Sequence, residues 1–414
     1  MTMSMTLSRD KLKIGGIYAM PSWNVNFDTI VQGDNREIIR HVERIHALAA
    51  VIREIPIPPA VQRSIDALNI LRAVRGTTGI EGTELTEDEV SQIMNTPPQK
   101  RALPSSRSRE EQEARNAEQL MYFVADTLTK QHDLPLSEQL ICKIHEITTQ
   151  SIDYPDNIPG KYRSHSVSAG TYLPPRTADE VVRLMREFVD WFNNSTPKSW
   201  DPVVRAIIAH FYMISIHPFG DGNGRTSRAV ESYLLYQANV NARGFYSLAN
   251  YYYRYRNDYI QLLDKVRFET NNDLTPFLLF ALRGLVEELE IVHKEILAEV
   301  RWISFRDFAR EILSIHDKLT TKSGDRMFHF LLGLGRTPVS LKDLRQGKHR
   351  LSHLYRHVTE RTLARDINFL KENNLIITDG DQLGANLAIM TRFTPPMELQ
   401  KETTRGRRII KTQN

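Results

Sequence analysis

Apolar residues recur at helical spacing through most of this 414-residue chain, and strand-like stretches are few and short. Between Val203 and Ile216, the positions Val204, Ile207, Ile208, Tyr212 and Ile216 mark a helix. Thr226 to Ala238 repeats the period, with Val230, Tyr233, Leu234 and Ala238 on one face. Arg63 to Arg75 does the same through Ile65, Leu68, Leu71 and Ala73, and a long helix is predicted from about Pro276 to Ala309. Strand signals are confined to two places. Ser164 to Val167 and Thr171 to Leu173 flank Ala169-Gly170, a short hairpin. Leu375 to Thr378 and Leu387 to Phe393 flank Asp379-Gly380-Asp381, a second one. The expected fold class is mostly α.

Chemistry concentrates between the first two helices, at His217-Pro218-Phe219-Gly220-Asp221-Gly222-Asn223-Gly224-Arg225 and on to Arg228. A glycine-rich turn that opens a helix presents free N–H groups and the positive end of a dipole, which suits phosphate. Gly222, Asn223 and Gly224 let the backbone curl around an anion. Arg225 and Arg228 lie three apart on one face and can grip successive phosphates. Asp221 offers the single hard oxygen that Mg²⁺ typically takes beside phosphate and water. His217, at the entrance, can accept a hydroxyl proton near neutral pH.

At these residues the chain resembles the Fic family, whose signature is His-Pro-Phe-x-[Asp/Glu]-Gly-Asn-[Gly/Lys]-Arg-x-x-[Gly/Arg]. The resemblance implies a helical core that binds ATP with Mg²⁺ and transfers AMP to a Tyr, Thr or Ser hydroxyl of a protein, itself included. His217 would be the base. Gly220 to Gly224 would line the phosphates, Asp221 would hold the metal, and Arg225 and Arg228 would clamp the β- and γ-phosphates. Gly224 sides with the AMP-transferring branch, since the phosphate-transferring Doc branch carries Lys there.

Three further segments fit that resemblance. Thr77-Thr78-Gly79-Ile80-Glu81-Gly82 matches the inhibitory motif [Ser/Thr]-x-x-x-Glu-[Gly/Asn], in which the Glu81 carboxylate would deny Arg228 to the γ-phosphate. A local alternative exists: Thr78-x-x-Glu81 also reads as a capping box, as does Thr86-x-x-Glu89. Gly160 to Pro175 resembles the flap that lays the target backbone beside the α-phosphate. Tyr251 falls where the family contacts adenine, although Tyr255 replaces the usual Asn and the Tyr251-Tyr252-Tyr253 run reads more readily as packing.

Composition narrows little. The chain is 41% hydrophobic and 25% charged, with a net charge of +4, and is long enough for two or three domains. One cysteine, Cys142, excludes an intramolecular disulfide and fits a reducing, cytoplasmic setting. No signal peptide or membrane span is expected. The predicted division is 1–109 (helical, inhibitory segment, then a basic loop from Pro97), 110–295 (catalytic core), 296–325 (connecting helix), 326–393 and a basic tail at 394–414.

Residues 326–393 resemble a winged helix-turn-helix. Helices are predicted at Arg326 to Leu334, from Ser340, and at Thr359 to Asn373, where Leu363, Ile367 and Leu370 face inward. Arg361 and Arg365 share the outer face, and Arg405, Arg407, Arg408 and Lys411 follow in the tail. These favour DNA; Glu360, Asp366, Glu372, Asp379 and Asp381 oppose it, leaving protein contact or homodimerisation equally open. His349, His353 and His357, four apart, would share a helical face as metal ligands, a weak expectation beside interleaved cations. The competing functions are a DNA-binding regulator with a residual core, and an enzyme that transfers another phosphate-linked group or removes AMP.

Overall fold

The computed structural model describes residues 13–14, 17–18, 23–32, 35–130, 134–170, 172–197, 199–240, 248–335 and 337–391. The basic tail and Phe393 lie outside the described residues. Helices dominate, and the chain divides into two compact units at residues 1–294 and 295–414. No described helix is long and apolar enough to cross a membrane.

The first unit is built around α7 (Pro202–Ile216). Asp201 caps it by accepting from the Val203 N–H, with Pro202 at the first helical position, where a missing donor costs nothing. Almost every side chain of α7 is buried, because other helices surround it. Before it come α1 (Arg36–Glu54), α2 (Pro59–Ile80), α3 (Glu87–Asn95), α4 (Ser108–Lys130), α5 (Glu138–Thr149) and α6 (Ala178–Asp190). After it come α8 (Asn223–Gln237), α9 (Leu248–Arg254), α10 (Arg256–Glu269) and the part of α11 (Thr275–Ile315) up to Lys294. Two-residue strands β1 (Lys13–Ile14) and β2 (Ile17–Tyr18) pair antiparallel. Around Tyr212, aromatic rings of Phe27, Trp191 and Phe211 pack at 5.0 to 5.7 Å between centroids, which fixes the middle of α7.

Helix α2 lies close against α9 because Gly76 and Gly79 face it. A Cβ at Gly76 would stand 2.8 Å from the Asn250 backbone, and one at Gly79 would enter the Tyr253 ring. Arg256 Nε donates to the Ile80 carbonyl at 2.8 Å and so anchors the end of α2. The two capping-box readings separate here. Thr86 and Glu89 form a true box at the start of α3, whereas the Thr78 hydroxyl donates back to Val74 inside α2.

The hairpin expected at 164–173 is smaller than its sequence pattern. An isolated antiparallel bridge joins Ala169 and Tyr172, with Gly170 at φ +61°, and Ser164 to Val167 form no ladder. Side chains hold the segment instead. Tyr172 is fully buried, donates to the Ser215 carbonyl and lies under the Arg267 guanidinium.

In the second unit, α12 (Lys322–Leu334), α13 (Leu341–Arg345) and α14 (Glu360–Glu372) pack with a three-stranded sheet. The sheet runs β3-β5-β4, from β3 (Val339–Ser340), β4 (Ile376–Asp379) and β5 (Gln382–Ala385). Ser340 caps α13, as its sequence position implies, and Thr359, expected as the first residue of its helix, caps α14. The returning strand corrects the expected register. Asp379 pairs with Gln382 across Gly380-Asp381, so β5 begins at once, and Leu387–Thr391 is a 3₁₀ turn. Leu383 supplies the inward apolar residue, and β3 gives β5 a second partner that the pattern did not suggest. The three histidines do not share a face, because Arg350–Tyr355 is 3₁₀ and not α. His349 accepts from the Leu351 N–H, and His353 Nδ1 donates to Arg350 O. Among the described residues no cluster could hold a metal ion.

Asp366, expected on the outer face of α14, is 1% exposed and takes two bonds from Arg326, at 2.9 and 2.6 Å, with Ser323 on its other oxygen. Asp366→Ala should therefore cost about 3 kcal/mol, since Arg326, itself largely shielded from water, would lose its buried partner. Thermal unfolding of the full chain would register this as a lower midpoint for the second unit.

Candidate active site

The loop between α7 and α8 brings the sequence motif together at one point. His217 ends α7 in the left-handed region, φ 52° and ψ 58°, which turns its ring back along the helix. Nδ1 lies 3.2 Å from the Ile214 carbonyl. A carbonyl only accepts, so Nδ1 carries the proton and Nε2 keeps its lone pair. Burial lowers the imidazole pKa to about 4; the Ile214 bond and Glu81 oppose the shift, and Arg267 and Arg163 add to it. The ring is thus neutral throughout the physiological range. For the free protein, the acid limb of kcat/KM should fall near pH 4 and not near 6.5. Activity would persist above that value and be lost as pH falls through it, in a rate profile from pH 3.5 to 8.

Phe219 is the loop's anchor. Its ring is fully buried and stacks on His145 of α5, centroids 3.7 Å apart and planes within 4°. Asn223 spends both side-chain groups on the Phe219 backbone, accepting from its N–H at 2.8 Å and donating to its carbonyl at 2.9 Å. The Asn223 amide therefore shapes the loop, and contact with an anion there falls to the backbone. Gly220 and Gly222 are required by space: a Cβ would stand 2.6 Å from Asp156 O and 2.7 Å from Thr149 Cγ2 respectively. Gly222 also has φ +74° and opens α8 without any side-chain cap.

Arg225 and Arg228 both lie buried on the first turns of α8. Arg225 meets Glu113 of α4 at 3.4 Å, donates to the Tyr154 hydroxyl at 2.8 Å and reaches Asp221 at 3.4 Å. Its Nε has no hydrogen-bond partner among the described residues. Arg228 donates from Nε to the Thr77 hydroxyl at 3.0 Å, and from Nη2 to the Thr77 carbonyl at 2.9 Å and Glu81 Oε1 at 2.7 Å. Burial pushes the Glu81 carboxyl upward, but Arg228, Arg225 and the Arg228 hydrogen bond outweigh it and hold it below the usual range. Gly82, at φ +98°, turns the chain immediately after. The Glu81 carboxylate sits directly over Gly224, where any Cβ would collide with it.

An anion therefore already occupies the mouth of α8, in the form of a carboxylate from α2. That fact tests whether ATP phosphates fit: the site accepts negative charge between Arg225, Arg228 and His217, and Arg225 Nε is free to donate. Asp221 is 41% exposed at its side chain, with Arg109 at 3.9 Å. One accessible carboxylate suits Mg²⁺, which takes its other ligands from phosphate and water.

Several supporting residues carry no sequence signal of their own. Arg163 donates to the carbonyls of His217, His165 and Pro175 at 2.8, 2.8 and 2.6 Å, tying the flap segment to the base. His145 Nδ1 accepts from the Gly160 N–H at 2.9 Å, while Nε2 donates to Asp221 O at 3.0 Å. Glu113 collects Tyr154 and Thr83 hydroxyls, both at 2.7 Å. Tyr251, expected at the adenine, packs against Phe280 at 5.0 Å and Tyr255 at 4.7 Å, with Gly284 making room for its ring. It is a core residue between α9 and α11.

Comparison with known proteins agrees with the motif. The Fic/DOC family model matches residues 135–235. A protein adenylyltransferase Fic of Drosophila willistoni is 31% identical over 162 residues, 39% of this chain and 31% of that protein. One of Drosophila virilis is 28% identical over 211 residues, 51% of this chain and 41% of that protein. The chain thus spans well under half the length of these curated relatives. A Fic family protein from Desulfovibrio desulfuricans G20 superposes with a TM-score of 0.50 at 21% identity, covering 85% of this chain and 96% of that one. Fic-1 (residues 134–508) from C. elegans gives a TM-score of 0.50 at 21% identity, covering 64% and 73%. The stretch matched by the Fic/DOC family model, residues 135–235, holds the whole His217 to Arg228 constellation, and it is in this stretch that the chain is similar to that family.

Proposed function

We propose that the protein transfers AMP from ATP, held with Mg²⁺, to a side-chain hydroxyl of a protein, and that Glu81 restrains the transfer. The observation that carries this reading is the geometry of His217: a neutral imidazole with its lone pair on Nε2, beside an arginine-lined helix mouth. His217 Nε2 takes the proton of the acceptor hydroxyl. The freed oxygen forms a bond to the α-phosphorus, the bond to the bridging oxygen breaks, and pyrophosphate leaves with that electron pair. The proton stays on the imidazole until solvent removes it.

The other residues position and neutralise. The metal ion, when bound, would spread the negative charge that grows on the leaving group, and Asp221 would be its protein ligand. Arg225 and Arg228 stabilise that charge from fixed positions in a site shielded from water, where such donors act most strongly. Arg163 and His145 hold the flap segment and the loop in register, so that an acceptor laid along residues 164–170 approaches His217 and not solvent. Glu81, bonded to Arg228, keeps that arginine from a third phosphate, and the first turn of α8 from close approach by nucleotide.

Labelled ATP tests the reading. Full-length protein and a Glu81→Gly variant are each incubated with a cell extract and ATP labelled at the α or γ position. AMP transfer predicts protein-bound label from the α position alone. Label retained from the γ position alone would mean phosphate transfer and would overturn the proposal.

A further inference from the structure

Among the described residues the outward face of α14 has no partner within the second unit, and its side chains have the chemistry of a groove reader. Leu363, Ile367 and Leu370 are buried in the core. That leaves Arg361, Ala364, Arg365, Asn368 and Lys371 exposed at helical spacing. Beside its N-terminus, the segment from α13 to α14 forms an open cavity of about 510 Å³, whose lining includes Arg345, Lys348, Arg350 and Arg356.

Two of the five carboxylates that the sequence sets against this charge are drawn away, while Glu372 and Asp379 stay exposed. Asp366 is buried beneath Arg326. Asp381 is drawn back onto the start of α13, where it accepts from the Lys342 N–H at 3.1 Å and from the Ser340 hydroxyl. Glu360 remains on the cavity rim, 3.9 Å from Arg345. The surface is therefore more cationic than its sequence suggests, and the charges flank an exposed helix.

We propose that this face binds duplex DNA, with Arg361, Arg365 and Asn368 in the major groove and Arg345, Lys348, Arg350 and Arg356 on the phosphates. A helix with side chains is about 10–12 Å across and the major groove about 12 Å wide, so α14 can enter with its polar face toward the bases. Arginine pairs with guanine, asparagine with adenine, and the Ala364 methyl suits a thymine methyl. Duplex RNA is disfavoured, because its deep, narrow major groove excludes such a helix. An acidic protein partner would use the cations but leave Asn368 and Ala364 without a role.

The full-length protein, incubated with a pool of randomised duplex DNA, should enrich a defined sequence. Arg361→Ala combined with Arg365→Ala should weaken binding to that sequence at least tenfold while changing binding to unrelated duplex far less. Arg350→Ala with Arg356→Ala should weaken both alike and flatten the slope of log affinity against log salt by about one for each phosphate no longer neutralised. Nucleotide transfer and unfolding midpoint, measured on each variant, would show that the rest of the protein is intact. Failure to bind duplex DNA at low salt overturns the proposal. So does enrichment of RNA alone, or binding undiminished by the Arg361 and Arg365 replacements, which would move the DNA-binding surface to the basic tail.

Discussion

His217→Ala is expected to slow AMP transfer by about 10²- to 10⁴-fold while leaving ATP affinity within about twofold of wild type. The imidazole acts on the acceptor hydroxyl, and phosphate binding falls to α8 and its arginines, so the two measurements separate. That loss corresponds to roughly 3–5 kcal/mol of barrier. The bond from Nδ1 to the Ile214 carbonyl gives the expectation its force, because it leaves one nitrogen free and points it away from the helix. A variant retaining more than about a tenth of the wild-type rate would remove His217 from the role of base. Nucleotide affinity is read by calorimetric titration on the same preparations.

Glu81→Gly should raise the rate tenfold or more. In the structure its carboxylate is bonded to Arg228 and lies over Gly224. A charge-assisted hydrogen bond of this kind is worth about 1.5–3 kcal/mol, which is the scale of that change. Thr77 keeps its two bonds to Arg228 in the variant, so the arginine stays near its present place and becomes available to phosphate. Arg228→Ala should release less, because it abolishes the restraint and the clamp together. Since the folded Glu81 carboxyl titrates below the usual range, the restraint is present at neutral pH and is lost only as pH falls through that lowered value. Mild acid should therefore not mimic the variant. An unchanged rate in Glu81→Gly, with a folded protein and a competent acceptor, would discard Glu81 as a brake.

What could be read from the sequence was what is local. The helical period of Val203 to Ile216, the glycine-rich turn after it and the cap residues at Ser340 and Thr86 act within a few positions of themselves. They appear in the structure where they were expected. Residues acting across the fold carried no such signal. Glu113 lies more than a hundred positions before Arg225, and nothing around it marks a charge partner. Nothing in the sequence singles out His145, yet it braces both the flap and Asp221. Tyr251, which the resemblance sets at adenine, packs its ring against Gly284, a contact that nothing in its sequence neighbourhood marks. The same logic covers Asp366, whose sequence neighbours are exposed cations and whose partner, Arg326, is forty residues earlier. The strand at Gln382–Ala385 was misplaced because a two-residue turn and a remote partner, β3, set its register.

The measurement that tests the account most directly is mass spectrometry of a cell extract exposed to the Glu81→Gly protein with Mg·ATP. A parallel sample carries Glu81→Gly together with His217→Ala. The account predicts peptides gaining one AMP on a Tyr, Thr or Ser hydroxyl in the first sample and their absence from the second. Peptides that gain phosphate and no AMP in the first sample, or AMP-bearing peptides equally abundant in both, would contradict it.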